Sequence, residues 1–220
     1  MKTLKQTLVA MALFFGSMTT AMAIPITGAV TAPGAIIGTA DWATGSTLTW
    51  NVSQGIDNLW TYSYRFQVPS KDISHIIFQV SDTFTSSNIK AGTTSGYNLG
   101  TFSSAIGNSN PGMPSPLYGL SFPGFDVDDT FVIVSDRAPM WGSFYAKDGV
   151  SGGTNVYAYN ASFGTSSSVD ILGTAPYGLI LVPDTVTVIP VPDEVEVFEP
   201  GTISVLGAGL FALAFVRRKK

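Results

Sequence analysis

The chain has no cysteine and one histidine, His75. Without cysteine, no disulfide can hold a domain and no thiolate can serve as nucleophile or ligand. One imidazole with no thiol gives no cluster of the ligands that transition metals require. Nucleophilic hydrolysis is disfavoured on the same ground. His75 lies among apolar neighbours in a strand-like run, where a hydrogen-bonded structural role is the ordinary reading, and no Gly-x-Ser-x-Gly elbow surrounds a serine. Glutamate is missing before Glu194, so the ten carboxylates of the preceding region, from Asp41 to Asp170, are all aspartates. A paired-carboxylate glycosidase therefore has nothing distinctive to support it. Charge is scarce, at 12% of residues, and the formal −4 hides an asymmetry. Six of the eleven cations are Lys2, Lys5, Arg217, Arg218, Lys219 and Lys220, so the rest of the chain sets five cations against fifteen acids, about −10. Such a surface repels nucleic acid and anionic polysaccharide; it suits solubility, or the binding of cations and neutral sugars.

A sustained helical period is also missing, whereas period-two patterns recur. The clearest is residues 59–68, where Trp60, Tyr62, Tyr64, Phe66 and Val68 alternate with Thr61, Ser63, Arg65 and Gln67. That pattern predicts a strand with one buried face. Residues 46–52 alternate in the same way. The nearly continuous apolar run 73–80 predicts a central strand. Residues 97–102, 117–122, 130–135, 141–147, 155–163 and 177–182 are further strand candidates. In 155–163, Val156, Ala158 and Asn160 oppose Tyr157, Tyr159 and Ala161. Asp148-Gly149 carries a hairpin signal, with Gly152-Gly153 close behind. Residues 103–116, with four prolines or glycines between Gly107 and Pro114, predict a long loop. Seven to nine short strands separated by turns predict an all-β, antiparallel β-sandwich of jelly-roll-like form, with a closed barrel as the alternative. No internal repeat of fixed period points to a propeller or solenoid.

The long uncharged apolar runs stand at the two ends. Residues 1–23 read as a secretory signal peptide: Lys2 and Lys5, an apolar stretch from Leu8 to Phe15, then Ala21-Met22-Ala23 as the cleavage site. Export through the Sec machinery follows from that pattern. At the other end, Glu199-Pro200-Gly201 precedes the apolar run 202–216 and the basic cap Arg217-Arg218-Lys219-Lys220. The fourteen residues from Ile203 span roughly 21 Å as a helix, short of the ~30 Å hydrocarbon core, so the flanks must snorkel or the bilayer thin. The terminal cations favour the cytoplasmic side and place the preceding chain outside. The expected organisation is a signal peptide at 1–23, a β-sandwich domain at 24–182, a Pro- and acid-rich linker at 183–199 and a membrane helix with basic tail at 200–220. Residues 185–189 can add an edge strand.

Glu199-Pro200-Gly201-Thr202, a short Gly/Ala/Leu/Phe segment and an Arg/Lys-rich end resemble the PEP-CTERM sorting signal of Gram-negative bacteria. The resemblance covers about the last two dozen residues, and Phe198 stands where the family has its first proline. It implies recognition by an exosortase, a membrane-embedded cysteine protease or transpeptidase, with cleavage near this motif and delivery to the surface or extracellular matrix. The stretch 135–149 also resembles a segment of β-rich PEP-CTERM proteins.

Two interior stretches carry candidate chemistry. Asp126, Asp128 and Asp129 crowd three carboxylates into four residues and could hold Ca²⁺, which favours several oxygen ligands on a loop; no other cofactor is implied. In 135–149, Trp141 and Tyr145 supply aromatic area beside Asp136, Arg137 and Asp148, a grouping that could stack and hydrogen-bond a sugar of an extracellular polysaccharide. The alternative there is core packing with a salt-bridged turn. The expectation that results is a non-enzymatic, exported β-sandwich with a structural or adhesive role in envelope, matrix or biofilm. Its alternative is a carbohydrate-binding module on the same scaffold.

Overall fold

Strand Trp60–Gln67 (β4) sits inside a four-stranded antiparallel sheet, and its alternation is the one read from the residues: Tyr62, Tyr64 and Phe66 are buried and Arg65 is exposed. The computed structural model describes residues 25–105, 109–167, 171–172 and 176–183. The signal-peptide, edge-strand, linker and sorting-signal readings lie outside those residues, apart from Pro183.

The described chain is all-β. Its strands in order are Ile26–Thr31 (β1), Ile36–Gly38 (β2), Thr47–Gln54 (β3), β4, His75–Gln79 (β5), Asn98–Phe102 (β6), Leu117–Pro123 (β7), Asp128–Ser135 (β8), Pro139–Gly142 (β9), Phe144–Ser151 (β10), Thr154–Asn160 (β11) and Ile180–Pro183 (β12). Twelve strands exceed the seven to nine expected. β1 and β2 carry little pattern of their own, and the run 141–147 divides at Ser143 into the end of β9 and the start of β10. β12 ends on Pro183, one residue past the expected domain limit.

One sheet has the order β1-β3-β4-β8, a second β2-β11-β10-β5-β7-β6, and β12 pairs with β9. Every pairing is antiparallel. The two larger sheets share one core: Trp50, Tyr64, Phe66 and Phe131 from the first meet Phe78, Phe122, Phe144 and Val156 from the second. Phe66–Phe144 and Tyr64–Phe78 ring pairs cross between them. This two-layer packing is consistent with a β-sandwich. β5 has sheet neighbours on both sides, as its apolar run implies.

The β10–β11 hairpin turns at Gly152-Gly153, both at positive φ, the geometry of a two-residue type I′ turn. The expected turn at Asp148-Gly149 instead lies within β10, where the register shifts between Lys147 and Val150. A bulge absorbs a flexible glycine there without reversing the chain.

A second, smaller cluster covers the outer face of the six-stranded sheet. Ile77, Tyr145 and Leu117 meet Met113 of the long loop, with Tyr157, Tyr159 and Phe163 packed around them. Gly112 rests so closely on Tyr157 that a Cβ there would enter the ring. The loop is therefore seated on an aromatic strip, and its carbonyl at Pro111 accepts from the Tyr145 hydroxyl at 2.7 Å.

Candidate functional site

The aromatic pair proposed to stack on sugar is enclosed. Trp141 is 2% exposed and Tyr145 is fully buried, so neither ring offers a face to a ligand. Trp141 lies edge-on to Trp50, centroids 6.3 Å apart, in the main core. Its strand is covered from two sides: β9 pairs with β12, and Trp141 also bridges to Ser167. Tyr145 lies beneath the long loop, and burial pushes its hydroxyl pKa up. The core-packing alternative holds for both rings. Composition alone cannot separate an aromatic platform from an aromatic core, because both need large rings near turns.

Asp136 and Arg137 do come together, in a network at the end of β8. Asp136 Oδ2 lies 2.8 Å from Lys90 Nζ, its Oδ1 accepts from Asn88 Nδ2 at 2.8 Å, and Arg137 Nε stands 3.9 Å from the same oxygen. Arg137 Nη2 also donates to Asn88 Oδ1 at 3.2 Å. Partial burial acts to raise the Asp136 pKa, but the Lys90 and Asn88 hydrogen bonds and the two cations overcome it and hold the carboxyl below its usual range. Asp148 is on the other sheet, at the β10 bulge, and belongs to no such network. The five residues of this grouping thus divide among a surface charge network, the core and a bulge.

The three aspartates at 126–129 do not converge either. Asp128 takes Arg65 through two hydrogen bonds of 2.8 and 2.5 Å and Gln67 through a third, and the Arg65 guanidinium lowers its pKa. Asp129 Oδ2 accepts the backbone N–H groups of Phe125 and Asp126, closing the turn before β8. Asp126 Oδ1 accepts from Val127 N. Neighbouring residues on a strand point to opposite faces, so Asp128 and Asp129 cannot serve one ion. Among the described residues, no group of three His, Cys, Asp or Glu side chains is arranged to hold a metal. The carboxylates expected to hold Ca²⁺ thus each have local partners in place of a shared centre.

His75 has the structural role expected of it. Its Nε2 lies 2.8 Å from Asn110 Oδ1, tying β5 to the long loop, and the ring sits beside Tyr145. Burial is the main cause of its lowered pKa. The Asn110 hydrogen bond works against that, and the nearby Lys147 charge adds to it.

What the residues did not disclose is a groove of about 240 Å³ where β5 ends and β7 begins, bordered by the 164–166 turn. Gln79, Ser81, Asp82, Ser115 and Ser166 bring polar groups to it, and Pro116, Leu117 and Met140 bring apolar surface. The groove is held by a buried polar joint around Ser143, the residue between β9 and β10. Gln79 Oε1 accepts from Ser143 N at 2.8 Å, and Asn160 Oδ1 accepts from Phe144 N at 2.8 Å. Ser143 Oγ accepts from Gly164 N at 3.1 Å, which fixes the turn on the groove's far side. No local pattern marks these residues, because they come from four separated parts of the chain.

Compared with protein-family models, curated proteins and solved structures, the chain matches none. Among the described residues, no helix is long and apolar enough to cross a membrane.

Proposed function

We propose that this chain is an exported, non-enzymatic β-sandwich protein of PEP-CTERM type, with a jelly-roll-like domain and a structural or adhesive role at the cell surface, in extracellular matrix or in biofilm. The observation that carries this reading is the pairing of its two ends. A signal-peptide pattern opens the chain, and Glu199-Pro200-Gly201, an apolar run and the Arg217–Lys220 cap close it. On this reading the Sec machinery exports the chain, the C-terminal helix retains it in the inner membrane, and an exosortase cleaves near Glu199-Pro200. The acidic, cysteine-free, antiparallel domain is suited to that route, since its stability comes from a shared core and needs no disulfide.

The test is mass spectrometry of the protein recovered from its producing cells. The expected product begins at Ile24 and ends near Glu199. Deleting residues 199–220 is expected to change where the protein accumulates. An intact chain in the cytosol with both ends uncut, or unchanged membrane retention after the deletion, would overturn the proposal. The alternative of a sugar module built on Trp141 and Tyr145 is not kept in that form, since both rings are buried.

A further inference from the structure

We infer that the groove between β5, β7 and the 164–166 turn is a binding site for one neutral sugar ring. This inference concerns the folded domain alone and does not rest on the export route. The first ground is size. About 240 Å³ lies below the ~300–1,000 Å³ of pockets for drug-sized ligands. A single ring fits that scale; an extended apolar ligand does not.

The second ground is the state of the polar groups. Asp82 and Ser166 are exposed and Ser115 is half-buried; all three line the groove, and their side chains make no hydrogen bond to another described residue. Gln79 is oriented by its partner. The Ser143 N–H is a donor, so Oε1 must face it, which leaves the Nε2 hydrogens uncommitted. Ser81 also lines the groove, and its Oγ is buried without a partner. The site therefore offers a charged acceptor, an amide donor and hydroxyls that serve as either.

The third ground is the pairing of these groups with apolar wall. A sugar ring has hydroxyls around its rim and a C–H face; Pro116 is exposed at the groove to meet such a face, while Leu117 and Met140 are themselves buried. No Lys or Arg lines the groove, and Asp82 stands at it, so phosphate and uronate ligands are disfavoured. A carboxylate accepting from two neighbouring hydroxyls gives the strongest hydrogen bonds available there.

The experiment titrates the full-length chain with the methyl glycosides of glucose, galactose, mannose and N-acetylglucosamine by saturation-transfer NMR and calorimetry. Galacturonate and glucosamine serve as charged comparators. Saturable binding of at least one neutral glycoside is expected. Asp82→Asn should weaken it by about tenfold through loss of charge-assisted bonds. Ser115→Trp should abolish it by filling the groove, while Asp136→Asn should leave it unchanged. Urea unfolding of each variant separates loss of binding from loss of fold, and Ser166→Trp replaces Ser115→Trp if the latter shifts the midpoint. Three results would overturn the inference: no saturable binding of any neutral glycoside, binding unaltered by both groove variants, or tighter binding of either charged sugar. None of these bears on where the termini are cut, so a failure here leaves the export reading standing, and the reverse.

Discussion

The hydroxyl of Tyr64 donates to the backbone carbonyl of Leu181 at 2.8 Å, across 117 residues of sequence and inside the core. It ties the middle of β4 to β12, the last described strand. Burial raises the Tyr64 pKa well above its ordinary value, which favours the protonated, donating form. Its ring stacks on Phe78, centroids 3.9 Å apart, and a phenylalanine could keep that contact. Tyr64→Phe should therefore remove the hydrogen bond alone, costing about 1 kcal/mol. In urea the midpoint should fall while the slope stays constant. An unmoved midpoint would show that this tie contributes nothing.

Trp141→Ala should act through the core. Removing a buried tryptophan typically costs about 3–5 kcal/mol through lost burial and a residual cavity. Trp141 is 2% exposed and packed edge-on against Trp50. Urea unfolding should show a large fall in stability, and any sugar binding should decline only in proportion to the unfolded fraction. A variant as stable as the parent that has lost sugar binding would restore Trp141 as a ligand platform.

The limits of sequence reading are visible in these two residues. Tyr64 was legible because β4 has one dry face and one wet face, which imposes a period of two. The same reasoning set Val156, Ala158 and Asn160 against Tyr157 and Tyr159, and the fold buries the first set in β11. Trp141 was not legible, because Met140, Trp141, Gly142 and Ser143 are all buried and no alternation survives in them. β2 is three residues long, too short to carry a period. The groove was hidden for a different reason. Gln79, Ser115 and Ser166 become neighbours only after three sheets have formed, and serine-rich segments look alike whether they bind or are merely solvated.

Calcium should have no effect on stability. Asp128 is committed to Arg65 and Gln67, and Asp129 to two backbone N–H groups. Thermal unfolding in excess Ca²⁺ and in chelator should coincide, whereas a ligand bound only by the native state would raise the midpoint with its concentration. Asp129→Ala should be the damaging change in this segment. It leaves the Phe125 and Asp126 N–H groups without their acceptor and should cost about 1 kcal/mol, while Asp129→Asn keeps an oxygen in place. A calcium-dependent midpoint abolished by Asp129→Asn would overturn this account.

His75 should give the domain a pH dependence with a definite sign. Burial lowers its pKa in the native state below the ~6.5 of an unfolded chain, and the Asn110 hydrogen bond only partly offsets that. Between those two values the unfolded chain holds the proton and the native chain does not, so stability falls as pH falls. The contribution is complete above about pH 6.5, is lost on the way down through the native pKa, and then levels off. The lowered carboxyls act separately. What Asp128 and Asp136 add is present above the ordinary ~3.9 of an aspartate and declines only in more acid solution. Because His75 is the sole histidine, its ring C–H signals can be followed by NMR without further assignment. A native midpoint below 6.5 is expected, with the weak-acid slope in stability absent from His75→Gln. A midpoint at or above 6.5 would mean that the loop held by Asn110 does not shield the ring in solution.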